Sequence, residues 1–160
     1  MTPQDLEKLP YRENVGIMLV NNQNMVFVGQ RLDNNKDAWQ MPQGGIDKGE
    51  NPKDAAFREL EEETGVVKEL VQVAAVSKDW ITYDLPAELV SKLWKGRYRG
   101  QKQKWFLMQF FGSDRQVNIA TAHPEFGSWK WVALSELEGN IVEFKKGVYR
   151  QVIEEFKSHF

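Results

Sequence analysis

Residues 44–66 read GGIDKGENPKDAAFRELEEETGV, and this stretch decides how the rest of the chain is understood. Its second half carries the signals of a helix. Asn51 is a good N-cap, Pro52 suits the first helical position, and Gly65 can adopt the left-handed stop. Glu59, Glu61, Glu62 and Glu63 crowd the last turns, at the negative end of the helix dipole, where each acid is disfavoured by roughly 0.3–1 kcal/mol. Glu59 repels Glu62 and Glu63 at helical i,i+3 and i,i+4 spacing. At about 100° per residue, Glu59 and Glu63 project to nearly the same side with Glu62 flanking them, while Glu61 faces away and is expected to be solvated. Ala55 and Ala56, one turn earlier, are expected to leave room for something to approach, and Phe57 and Leu60 to anchor the helix to a core. Carboxylates gathered against their own repulsion make physical sense if a hard divalent cation neutralises them, and Mg²⁺ and Mn²⁺ favour such all-oxygen sites. Glu59, Glu62 and Glu63 are therefore the candidate catalytic and metal-binding residues.

An acidic run on a helix is more often just a solvated face. The wider spacing overrides that reading. Gly44, five residues, Glu50, seven residues, then Arg58-Glu59-Leu60-x-Glu62-Glu63-x-Gly65-Val66 matches the Nudix box at every position. From average residue usage, the chance of that match arising at random is well below about one in 10⁶. The chain thus resembles the Nudix hydrolases. The resemblance implies a divalent-metal enzyme that cleaves a pyrophosphate linkage. It also implies the fold of that family, an α/β (α+β) sandwich in which helices cover both faces of a mixed central β-sheet.

The 160 residues, 41% hydrophobic and 12% aromatic, suit one domain with one filled core, taken as residues 1–160. A net charge of −2 supplies no global basic field, so duplex DNA is not an expected partner. The absence of cysteine excludes disulfides and zinc–thiolate sites. No stretch approaches the ~20 apolar residues that span a bilayer, and the first residues lack an apolar signal run. A cytoplasmic protein without a membrane partner is expected, and a monomer.

Residues 1–10 read as a loose lead-in. Residues 15–20 and 25–30 are apolar runs around an Asn-rich turn, a β-hairpin signature. Arg12 and Arg31 sit at its open end, where two guanidiniums can clamp a phosphate chain. Residues 33–37 read as a polar loop, and residues 38–41 as a short strand leading into the box. The Gly44-Gly45 pair allows a tight turn, which makes the Gly44 carbonyl a candidate neutral metal ligand. Glu50 is expected to brace its loop, and Arg58 to orient a carboxylate. Residues 71–77 read as a strand, 79–86 as a loop and 87–94 as a short helical turn. Residues 95–104, KGRYRGQKQK, form a basic loop suited to phosphates and bases. Residues 105–111, WFLMQFF, are an expected central strand, and 129–132 another. Glu125, held between Pro124 and Phe126, can complete a metal shell from across the site; His123 is given no chemistry. Phe144, Val148, Tyr149, Val152, Ile153 and Phe156 recur at helical spacing, so a C-terminal amphipathic helix should pack on the sheet with Phe144 and Lys145 at its anion-attracting start.

The resemblance extends beyond the box. Tyr11-Arg12-x-Asn14-Val15-Gly16, Trp39-Gln40-x-Pro42-Gln43-Gly44-Gly45-Ile46, Gly100-Gln101-Lys102-Gln103-Lys104-Trp105-Phe106, Pro124-Glu125-Phe126 and Phe144-Lys145-Lys146-x-Val148-Tyr149 are similar to one branch. That branch holds the bacterial RNA pyrophosphohydrolases and the asymmetric dinucleoside tetraphosphate hydrolases. It implies that Glu59, Glu63 and Glu125 with the Gly44 carbonyl hold two or three Mg²⁺ or Mn²⁺ ions, with Glu62 sharing that shell or handling the attacking water. It implies further that Arg12, Arg31, Gln103 and Lys145 address phosphates, with Phe144 and Tyr83 near the nucleotide. Ala38 stands where many RNA-acting relatives have serine, and residues 80–112 also resemble the dinucleotide hydrolases. Both a 5′-triphosphorylated RNA end and a dinucleoside polyphosphate thus remain candidate substrates.

Overall fold

The computed structural model describes residues 2–32 and 38–160; the polar loop expected over residues 33–37 lies outside them. The elements in order are α1 (Pro3–Glu7), β1 (Tyr11–Val20), β2 (Val26–Arg31), β3 (Gln43–Gly45), α2 (Pro52–Thr64), β4 (Val71–Val76), β5 (Ile81–Asp84), α3 (Ala87–Val90), β6 (Gly100–Phe110), β7 (Phe126–Val132), α4 (Leu137–Asn140) and α5 (Lys146–Phe156). The seven strands form one mixed sheet in the order β4-β6-β1-β2-β7, with β3 added to β1 and β5 to β6. β1 and β6 run parallel along the middle, from Tyr11↔Gly100 to Val20↔Gln109; every other named pairing is antiparallel.

Strand parity divides the core in two. Val15, Ile17 and Leu19 of β1 and Phe106, Met108 and Phe110 of β6 point to one face, where Ala55, Ala56 and Leu60 of α2 cover them. Met18 and Val20 with Trp105 and Leu107 point to the other, under Val148, Tyr149, Val152 and Phe156 of α5. Burial on both faces explains why β1 and β6 read as continuous apolar runs rather than alternating ones. The three layers are those the family resemblance implied.

α2 begins and ends as its sequence dictates. The Asn51 side chain accepts a hydrogen bond from the Asp54 amide at 2.9 Å. Gly65 takes φ 72° and donates its N–H to the Glu61 carbonyl. Ala55 and Ala56 do not open a path to the acids, however. Both are fully buried against β1 and β6, because the stripe that includes Leu60 needs small residues for the helix to lie close to the sheet.

Other expectations are corrected. The lead-in contains α1, capped by Thr2. The loop read over residues 79–86 holds β5, whose Ile81 and Tyr83 face inward while Thr82 and Asp84 face out. The basic loop read over residues 95–104 is strand from Gly100 onward; both edges of that strand are hydrogen-bonded, to β1 and to β5, which fixes residues that sequence polarity assigns to a loop. Of residues 38–41, Gln40 alone is bridged, to Gly29.

Candidate active site

The site is set by a handover along β1. Near its end β1 pairs with β2 at Val20↔Val26, but its first half pairs instead with β3, Asn14↔Gly45 to Gly16↔Gln43. The hairpin strands therefore part, and β3 enters the gap carrying Gly44 and Gly45. On the even-numbered face of β1 and its β6 partners, the apolar surface ends at Trp105 and gives way to Asn14, Gln103, Arg12 and Gln101. A cleft of about 350 Å³ opens there, lined among others by Arg12, Arg31, Gly44, Glu59, Glu125 and Lys145.

The acids reach this cleft from α2, across β3. A Cβ placed on Gly44 would overlap the Glu59 carboxylate, and one on Gly45 would overlap the Arg12 guanidinium. Glycine at both positions is what lets an acid and a cation approach one short strand so closely. Glu63 is 2% exposed and accepts a hydrogen bond from the Gln43 amide at 3.3 Å. Burial pushes its carboxyl well above the ordinary range, and Glu125 and Glu59 push it further. Burial likewise raises Glu59 to about 7, against the opposing pull of Arg58. Glu62 is exposed, as is Glu61. Glu62 lines a second opening on the far side of the acids, together with Glu59, Glu63, Glu125, Thr121 and His123.

Two arginines hold these acids. Arg58 contacts Glu59 at 2.9 Å and Glu62 at 3.2 Å, and donates to Glu50 and to the Gly45 carbonyl, each at 2.8 Å. It orients carboxylates and ties α2 to the loop before it, while Glu50 also accepts from the Asp47 amide and so braces that loop. Arg31 contacts Glu125 at 3.2 Å, just before β7. Among the described residues, no three acidic, histidine or cysteine side chains are drawn into one coordination shell. The donor set nonetheless fits a hard divalent cation. It consists of carboxylate oxygens, two of them on desolvated groups whose proton affinity nearby Glu125 raises further, beside a glycine backbone that a side chain would obstruct.

Behind the cleft lies a buried polar network. Gln101 Oε1 accepts from Arg12 at 2.9 Å and from Asn14 at 2.8 Å, and Gln101 Nε2 donates to the Tyr83 hydroxyl at 2.6 Å. Gln103 Nε2 donates to Asn14 and Gln43, and Gln103 Oε1 accepts from the Trp105 indole. Gln101 and Gln103, two residues apart on the same strand face, are 2% and 1% exposed with both ends of each amide engaged, and Gln101 lines the cleft. Tyr83 and Phe144 meet with ring centroids 5.8 Å apart, and the Lys145 ammonium stands 5.8 Å from the Tyr83 ring. Sequence reasoning missed Gln101, Asn14 and Gln43 as site residues. For Gln101 the available signal is the period-2 parity of β6, which puts it on the face of Gln103.

The NUDIX domain model matches residues 10–152, and the chain belongs to that family. It is 60% identical to the RNA pyrophosphohydrolase of Roseobacter denitrificans, over 99% of both chains, and 54% identical to that of Dinoroseobacter shibae, over 98% of both. Among solved structures, the fold matches Escherichia coli dihydroneopterin triphosphate pyrophosphohydrolase with TM-score 0.70 at 21% identity, over 92% of this chain and 97% of that one. It also matches a Caenorhabditis elegans Ap4A hydrolase binary complex with TM-score 0.64 at 21% identity, over 92% and 99%. Among the described residues, no helix is long and apolar enough to cross a membrane.

Proposed function

We propose that this chain is a Nudix pyrophosphohydrolase that removes pyrophosphate from the 5′-triphosphate end of RNA. The near full-length likeness to RNA pyrophosphohydrolases carries the choice of substrate. The cleft agrees with it, since cationic Arg12, Arg31 and Lys145 and aromatic Tyr83 and Phe144 line it together with Glu59 and Glu125.

In this reading Glu59, Glu62, Glu63, Glu125 and the Gly44 carbonyl hold two or three Mg²⁺ or Mn²⁺ ions. Bound there, the cations supply charge neutralisation and a water of lowered pKa. Arg12, fixed by Gln101, and Arg31 and Lys145 grip the phosphate chain and keep it in line, which is most of what phosphoryl transfer requires. Water oxygen forms a bond to phosphorus, the bridging phosphoanhydride bond breaks, and a carboxylate of the α2 cluster takes the water's proton. The products are pyrophosphate and RNA with a 5′-monophosphate. Arg58 keeps Glu59 and Glu62 oriented. The protein acts as a monomer in the cytoplasm.

The test is a comparison of kcat/KM on 5′-triphosphorylated RNA and on diadenosine tetraphosphate. RNA should be the better substrate, with pyrophosphate released; a chelator should abolish turnover, and Mg²⁺ or Mn²⁺ should restore it. Cleavage of the dinucleotide with RNA ends left intact would overturn the reading in favour of a dinucleoside polyphosphate hydrolase.

A further inference from the structure

The segment after α3 carries an apolar surface that phosphate binding does not use. Trp94, Lys95 and Gly96 have φ of 48°, 59° and 71° in succession. Glycine adopts that region freely, but Trp and Lys meet a clash between Cβ and backbone there. The turn sets the half-buried Trp94 ring in the lining of the catalytic cleft, beside Leu93, which is 37% exposed. The Trp94 ring lies 5.1 Å from the Arg12 guanidinium carbon, and Tyr98 packs edge-on against it at 6.1 Å. Trp94 is thus held by a cation and an aromatic neighbour at the margin of the core rather than sunk into it.

The cleft therefore has two chemistries within one volume. Arg12, Arg31 and Lys145 suit phosphate oxygens, whereas Leu93 and Trp94 offer flat apolar surface that a phosphate chain cannot exploit and a nucleobase can. An indole kept in a disfavoured backbone conformation at a cleft points to a role beyond folding.

We propose that Trp94, flanked by Leu93, is the stacking platform for a nucleobase of the RNA next to its triphosphate end. Arg12 is then shared, one side against the platform and the other toward the phosphates. This rests on the RNA-end reading above. The platform makes the enzyme sense a base as well as a phosphate chain, and it is separate from the Tyr83–Phe144 pair.

The test separates base stacking from mere support of Arg12. With triphosphorylated RNA as the reporter substrate, Trp94→Leu should raise KM about tenfold with a much smaller change in kcat, the size expected for one lost base–aromatic stack. The inhibition constant of adenosine triphosphate should rise alongside, while that of inorganic tripolyphosphate, which has no base, should stay at the wild-type value. Trp94→Phe, which keeps a ring, should recover most of the loss. A parallel rise for tripolyphosphate would overturn the proposal, because Trp94 would then act only by holding Arg12. An unchanged KM for RNA in Trp94→Leu, or no recovery in Trp94→Phe, would overturn it as well. Wild-type protein inactive on RNA ends would instead remove the functional reading on which the platform rests.

Discussion

α2 and α5 cover opposite faces of the same sheet and spend their sequences differently. α5 buries Val148, Tyr149, Val152 and Phe156 along one stripe. Its Tyr149 packs edge-on against Trp105 at 5.9 Å, and its hydroxyl accepts the Met41 amide at 2.8 Å, fixing the segment that feeds β3. Every one of these contacts favours the folded state. α2 buries a narrower stripe and then sinks Glu63 beside Glu59 at the wrong end of its dipole. One helix stabilises the sheet, and the other gives up stability to place charge. Active sites are where such conflicts between local rules and global fold concentrate.

Three substitutions break or sharpen that contrast. Phe156→Ala, at a side chain 1% exposed, should cost about 3–5 kcal/mol in a denaturation experiment, as for a large-to-small change in a packed core. Glu63→Gln should act oppositely on stability and activity. Turnover should fall by at least ~10², as on loss of a group that stabilises developing charge. The melting temperature measured in chelator should rise, because a neutral isostere removes a desolvated carboxylate and still accepts from the Gln43 amide. A melting temperature lowered as in Phe156→Ala would mean that α2 gives up nothing. Glu61→Gln is the smallest change. Its side chain is solvated, so stability should move by less than about 0.5 kcal/mol and kcat/KM should hold. A large loss there would show that the acidic run acts as a whole rather than through selected members.

Much of the site was legible because its determinants are local. The caps of α2 lie within a few residues of the helix, and the direction of Glu59, Glu62 and Glu63 follows from helical pitch. The hairpin of β1 and β2 was legible for the same reason, with apolar runs on either side of an Asn-rich turn. What failed was the reading of segments whose state depends on partners. Gly100–Lys104 looks polar enough for a loop, and Ile81–Asp84 is short, yet the two become strands by pairing with each other, the first also with β1. Once that stretch is strand, parity puts Gln101 and Gln103 on the same face, and Gln101 lines the cleft.

The sequence by itself determined the α2 helix, its converging acids, the two long apolar strands and the amphipathic α5, since each is written in the spacing of near neighbours. Only the tertiary structure decided that β3 would part β1 from β2, that Arg31 would meet Glu125 and that Trp94 would stand against Arg12. Those meetings join residues far apart in the chain, and their geometry is set by strand register and by the packing of two helices on one sheet, which no local pattern encodes.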